Sequence, residues 1–201
     1  MNYGYLGGYG YGNSVEGNLN DLWKYTISTN TWTWVKGDSS IDNSGIYNQT
    51  PIQNKPGGRS GEANWKDNNG TIWLFGGVGF SDSGNGQLND LWKYDITTNT
   101  WTWVKGNTTS DNNGEYGTQG IADQNNKPGS RNSASTWTDG NNNLWLFGGN
   151  GFDESTSYQD LNDLWKYNII TNEWTWVKGN KNGNIYGSYG TIEIPVIIIR
   201  K

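Results

Sequence analysis

The sequence contains no histidine and no cysteine, and only one methionine and four prolines. These absences remove whole chemistries. Thiol nucleophiles, Ser-His-Asp triads and His/Cys zinc sites each need a residue this sequence lacks. Without cysteine, the redox compartment stays open. Basic runs are missing too, and the net charge is −5. That argues against a nucleic-acid partner, which selects for a basic stripe. No apolar stretch approaches the roughly 20 residues of a membrane span. Residues 1–15 lack the charged and apolar regions of a signal peptide.

What is present is unusual. Thirteen Trp, twelve Tyr and thirty Gly stand far above average usage. Low mean hydropathy alone would suggest disorder, but disordered chains are poor in aromatics. Each buried Trp removes on the order of 150–250 Å² from water, so a few apolar residues can carry a core. The composition therefore points to a globular, β-rich chain. Copies rich in Asn, Thr, Gly and Trp suit an extracellular or cell-surface repeat protein.

One nineteen-residue stretch occurs three times nearly verbatim: "LNDLWKYTISTNTWTWVKG" from Leu19, "LNDLWKYDITTNTWTWVKG" from Leu88 and "LNDLWKYNIITNEWTWVKG" from Leu161. Two further landmarks recur with it. "TIWLFGGVGF" (71–80) returns as "NLWLFGGNGF" (143–152), and "KPGGR" (55–59) as "KPGSR" (127–131). The repeat, found before any element is assigned, divides the chain. Residues 1–37 form a partial unit holding strands 2–4, followed by a connection at 38–55. Residues 56–106 form a full unit, with a second connection at 107–127. Residues 128–179 form another full unit, and 180–201 a connection with a divergent Ile-rich tail.

Within one unit the strand signals are dense. "RSGEANW" leads into "KDNNG", whose Asn-Gly pair predicts a type I′ hairpin. "TIWLFGG" reads as a short strand closed by Gly76 and Gly77 (Gly148 and Gly149 in the next copy). "DLWKYDI", the turn "TTN" and "TWTWVKG" complete four antiparallel strands. Both faces of these strands are apolar or aromatic, so each sheet needs a neighbour on either side. Stacked copies supply those neighbours. The repeated Trp set, including Trp92, Trp101, Trp165 and Trp174, is expected between blades. Arg59 and Arg131 are expected as ion pairs or carbonyl clamps between blades. The aspartates of each "LND" are expected as turn or strand-start hydrogen bonders.

"WLFGG", then "LNDLWKYD", then "NTWTWVKG" resembles the kelch repeat, and more closely the bacterial kelch proteins described as "galactose oxidase, central domain". The resemblance implies all-β, four-stranded antiparallel propeller blades, about two and a half of them, in a ring that this sequence does not close alone. Three readings follow for the ends: a fragment with no independent function, self-association that completes a propeller with 192–201 as a strand, or an open array. The copper-radical chemistry implied by the oxidase name needs His ligands and a Cys-linked Tyr. Neither residue type exists here, so no copper site carries over.

No cofactor and no metal site are expected, since no Asp/Asn-rich loop keeps the spacing of a calcium loop. The expected function is non-catalytic recognition of a protein or glycan. The expected surface is the 2–3 and 4–1 loops, which are long and vary between copies. Its candidate aromatics are Tyr9, Tyr11, Phe80, Phe152, Tyr158, Tyr186 and Tyr189. Tyr47 and Tyr116 recur at matching places and are read as structural. The alternative is part of a carbohydrate-active enzyme, a hydrolase, lyase or epimerase using carboxylates such as Glu62, Glu115 or Glu154.

Overall fold

A computed structural model describes residues 2–13 and 15–187. The Ile-rich tail at 192–201 and Tyr189 lie outside the described residues. Among those described, every regular element is a strand, and the strands form three antiparallel sheets that do not close into a ring. The first sheet has the order β1 (Asn2–Tyr11), β2 (Glu16–Thr26), β3 (Thr31–Lys36). In the second, β4 (Arg59–Ser60) and β5 (Ala63–Lys66) both pair with β6 (Ile72–Ser81), followed by β7 (Gly84–Asp95) and β8 (Thr100–Lys105). The third sheet places β10 (Arg131–Asn132) and β11 (Ser135–Thr138) on β12 (Asn143–Phe152), then β13 (Tyr158–Asn168) and β14 (Glu173–Lys178). Its outer edge gains β9 (Ala122–Asp123) from the longer connection, through pairs Trp174–Asp123 and Thr175–Ala122.

The turn inside the nineteen-residue repeat shows why it is copied so closely. Asn30, Asn99 and Asn172 take φ of 52°, 55° and 60°, the left-handed region that Asn tolerates. Each side chain then accepts the hydroxyl of the preceding strand's tyrosine: Tyr94 donates to Asn99 at 2.8 Å and Tyr167 to Asn172 at 2.6 Å. The turn and the aromatic strand are thus one unit.

Three local expectations change. The di-glycine does not close strand two. Gly76 and Gly77 (φ 66° and 97°) form a bulge where the register shifts, and pairing resumes beyond them from Gly77–Leu88 to Ser81–Gly84. A Cβ on Gly76 would lie 2.6 Å from the carbonyl oxygen of Arg131 in the next blade, so the bulge also lets the blades approach. In consequence the supposed 2–3 loop of the second blade is a paired hairpin with only Asp82 and Ser83 at its tip. Backbone N–H and C=O groups supply that pairing, and they are present whatever the side chains are. Finally, the Asn69–Gly70 turn is not type I′, because only Gly70 of the pair has positive φ. The Asp67 carboxylate accepts the N–H groups of Asn69 and Thr71 at 2.9 Å each and selects an Asx-type turn.

The core lies between sheets. One cluster joins Trp65, Trp73, Phe75 and Leu91 of the second blade to Leu146, Trp165, Tyr167 and Trp174 of the third. A smaller one joins Leu22 of the first blade to Leu74, Trp92, Tyr94 and Trp101 of the second.

Candidate functional site

Two constructions dominate the described residues, one buried at the joints and one exposed along the hairpins. At the buried one, Arg59 opens β4 and Asp90 lies on β7 of the same sheet. The guanidinium grips the carboxylate with two bonds, Nη1 to Oδ1 at 2.6 Å and Nη2 to Oδ2 at 2.8 Å. Two of its other N–H groups go to the carbonyls of Gly57 and Gly76. Trp92 Nε1 and the Tyr47 hydroxyl also donate to Asp90, at 2.7 and 2.8 Å. The third blade repeats each contact with Arg131, Asp163, Trp165 and Tyr116. The ion pair therefore closes within a blade, not between blades. What crosses the joint is the tyrosine, carried by the preceding connection. The "LND" aspartates of the two full blades, Asp90 and Asp163, are no turn formers; their carboxylates are buried and take several donors each.

Electrostatics fix these groups in one state. Burial works against the Arg59 and Arg131 cations, but the facing carboxylates outweigh it and hold both guanidiniums above their usual range. Burial likewise opposes the Asp163 charge, yet Arg131 and the donors around it keep this carboxyl below the usual range. The Tyr47 and Tyr116 phenols are pushed up, first by burial and then by the aspartates they touch. Neither tyrosine can serve as a base near neutral pH. The arrangement is structural.

At 1–2 turns, burial raises the Asp139 carboxyl, but donors from Asn143, Trp145 and the backbone outweigh it and hold it at about 2. Asp153 is also held low, with burial offset by the N–H groups of Gly183 and Ser155. A depressed folded-state value stabilises the fold above the unfolded value and loses that contribution as pH falls through the folded one. The melting temperature is therefore expected to stay level from about pH 7 to 5 and to fall between about pH 4 and 2. A melting temperature constant across the acid range would refute this account.

The exposed construction runs along the hairpin tips and the 4–1 connections that brace them. The Asp42 and Asp111 side chains accept the N–H groups of Asn18 and Gln87, and their own N–H groups return to the same residues' carbonyls. Each connection then reaches the next hairpin, through Gly45 to the Phe80 carbonyl and Gly114 to the Asp153 carbonyl. Tyr9, Tyr11 and Tyr158 stand exposed on paired strands, and Tyr186 is exposed on the last connection. Phe80 and Phe152 are half-buried; Phe152 meets Tyr158 edge-on, with centroids 5.9 Å apart. Asn132 links neighbouring hairpins, donating to Gln87 at 2.9 Å and to the Tyr158 oxygen at 3.4 Å. Tyr47 and Tyr116 are buried at the joints and do not join this surface.

The acids do not assemble a second site. Lys127 pairs with Glu115 at 2.8 Å and Lys181 with Glu154 at 2.9 Å. Burial raises the Glu62 carboxyl, whose side-chain partner is the Asn64 amide at 3.5 Å. Among the described residues, no group of three or more His, Cys, Asp or Glu side chains could hold a metal ion. No described helix is long and apolar enough to cross a membrane.

Comparison with known proteins agrees with this geometry. Residues 68–104 match the Kelch motif. The described sheets superpose on a solved structure described as "Structure of YjhT" with a TM-score of 0.54 at 15% identity, covering 88% of this chain and 51% of that one. The chain thus spans about half the length of that structure. No curated protein matches it in sequence.

Proposed function

We propose that this chain, built of kelch-type β-propeller blades, is a recognition module that binds a protein partner along its hairpin crest. Kelch repeats generally mediate protein–protein interaction and are typically non-catalytic. The supporting observation is the exposure of Tyr9 and Tyr11 on paired backbone. Their alternate positions place both on one side of β1. Tyrosines are enriched among residues that dominate binding energy. Held on a hairpin braced by Asp42 and Ile41, they give up little further freedom on docking.

Glycan binding is the finer alternative, supported by the Asn and Asp residues beside these rings. The test compares the wild-type chain with a Tyr9→Ser/Tyr11→Ser/Tyr158→Ser variant. Both serve as baits in quantitative mass spectrometry of cell extract and on an immobilised glycan panel. A discrete protein set depleted roughly tenfold or more on the variant, with unchanged circular dichroism, is the expected result. Equal capture by both would refute the crest. Glycan binding lost in the variant would reassign the surface to carbohydrate.

A further inference from the structure

Each connection reaches the outer strand of the blade it leads into: Tyr47 meets Trp103 edge-on at 5.8 Å, and Tyr116 meets Trp176 at 5.4 Å. Beyond that point the two differ. In the third blade the chain itself covers the outer edge. Strand β9 pairs Ala122 with Thr175 and Asp123 with Trp174. The Gly120 N–H donates to the Trp176 carbonyl at 2.8 Å, and Asn126 Nδ2 to the Trp174 carbonyl at 3.1 Å. The second blade ends at β8, with no described strand on its far side. Its connection is shorter, with Tyr47 and Lys55 8 residues apart against 11 for Tyr116 and Lys127. None of the loop donors that reach Trp174 and Trp176 has a counterpart at Trp101 and Trp103 among the described residues. Thr102 and Trp103 are accordingly half-buried, whereas Thr175 and Trp176 are buried.

The shorter connection leaves a cavity of about 560 Å³, lined by Lys36, Ile46, Gln49, Ile52, Asn54 and Lys55 among others. The bridges Ile46–Lys55 and Glu115–Lys127 set the register, so Asn54 occupies the place of Asn126. Asn54 is 7% exposed, and its Oδ1 accepts the Gln49 N–H at 2.9 Å. Its side-chain amide nitrogen finds no acceptor among the described residues, whereas that of Asn126 donates to the Ile121 and Trp174 carbonyls. A buried donor left without an acceptor is costly. Charge points the same way. Lys36 Nζ donates at 3.1 Å to the carbonyl of Asn99, in the turn before β8, as Lys105 does to Asn172. Burial lowers the Lys105 ammonium, while Glu173 and Asp123 act to raise it. Burial lowers Lys36 too, but there Lys55 adds to the effect. Thr100 stands in the place of Glu173, and Asp38 is already paired with Lys55 at 2.5 Å.

We infer that the outer edge of β8 is a binding site for an extended, acidic peptide segment of a partner protein. The segment lies antiparallel to β8 and pairs with Thr102 and Trp101 as Ala122 and Asp123 pair with Thr175 and Trp174. Its backbone supplies the acceptor that Asn54 lacks, as Ile121 does for Asn126. A carboxylate at the place of Asp123 offsets the charge of Lys36. Strand addition to an exposed edge draws affinity from main-chain bonds and specificity from the side chains beside them. The occupant is read from the chain's own β9, which fills the equivalent edge one blade on. The site is separate from the hairpin crest and holds whatever that crest binds.

The test titrates the ¹⁵N-labelled full chain with a synthetic peptide of its own residues 117–124, GTQGIADQ, and follows the amide shifts. Saturable shifts centred on residues 100–105 and 48–55 are expected, with a Kd on the order of 1 mM or tighter. Replacing the peptide's Asp by Asn, or Lys36→Gln in the chain, is expected to weaken binding roughly three- to fivefold each. The peptide N-methylated at its Ala and Asp amides cannot donate through them and is expected not to bind. A chain whose residues 48–54 are replaced by 117–126 carries its own strand at this edge and is expected not to bind either. Lys36→Gln and the modified peptides keep the test decisive if that variant misfolds. No saturable binding to wild type, or binding indifferent to N-methylation and to Lys36→Gln, would overturn the edge site. Shifts centred on the Tyr9–Tyr11 hairpin instead of β8 would overturn it as well.

Discussion

Arg131→Met is expected to lower the free energy of unfolding by about 3–5 kcal/mol, the cost of leaving a buried charge without its partner. Asp163 would keep its bonds from Tyr116 and Trp165 but lose both guanidinium bonds at a position buried from solvent. The carbonyls of Gly129 and Gly148 would lose their donors as well, so the bulge and the strand start loosen together. Domains of this size are stable by about 5–15 kcal/mol, so the loss is at least about a fifth of the whole. Urea denaturation followed by tryptophan fluorescence measures it. Asp21→Asn, at the same repeat position but without an arginine partner among the described residues, is expected to cost less than about 1 kcal/mol. A loss below that figure for Arg131→Met would show that the pair does not hold the blade.

Trp174→Ala is expected to cost about 3–5 kcal/mol, the range for truncating a fully buried aromatic. Its ring lies 5.0 Å from Tyr167 and 5.7 Å from Phe75 of the neighbouring blade, so the cavity would open in the joint itself. Trp32→Ala alters the same letter of the repeat on an uncovered face. It is expected to change stability by less than about 1 kcal/mol. Equal losses for the two would contradict the exposure difference. The pair of measurements separates what the sequence motif contributes from what its neighbour contributes.

Much of the fold was legible from the sequence because repetition is a global signal. Strands that are apolar on both faces and recur at a near-constant interval demand stacked sheets, whatever their local turns. The hairpin tips were hidden, since "SDSGNG" has the composition of a loop while its pairing rests on backbone groups. That the ion pair closes within a blade and not across the joint was hidden for a related reason. Arg59 and Asp90 are 31 residues apart, and Arg131 and Asp163 are 32 apart. Nothing local distinguishes an aspartate that starts a strand from one that anchors a buried arginine. A signal did exist in the separations, which stay nearly constant although the connections around them vary in length. Tyr47 and Tyr116 carried the clearest mark, because a residue that recurs in otherwise variable segments is held by something that also recurs.

That tyrosine has a consequence for how such chains change over generations. Every repeat carries one half of a joint at its start and the complementary half at its end, with Asp90 receiving from Tyr47 and Asp163 from Tyr116. A gene duplication that copies one whole repeat therefore delivers both halves at once, and a deletion removes both. Ring size becomes open to change by recombination between near-identical stretches, with no new contact to be selected. The near-verbatim nineteen residues are the template along which such recombination would align.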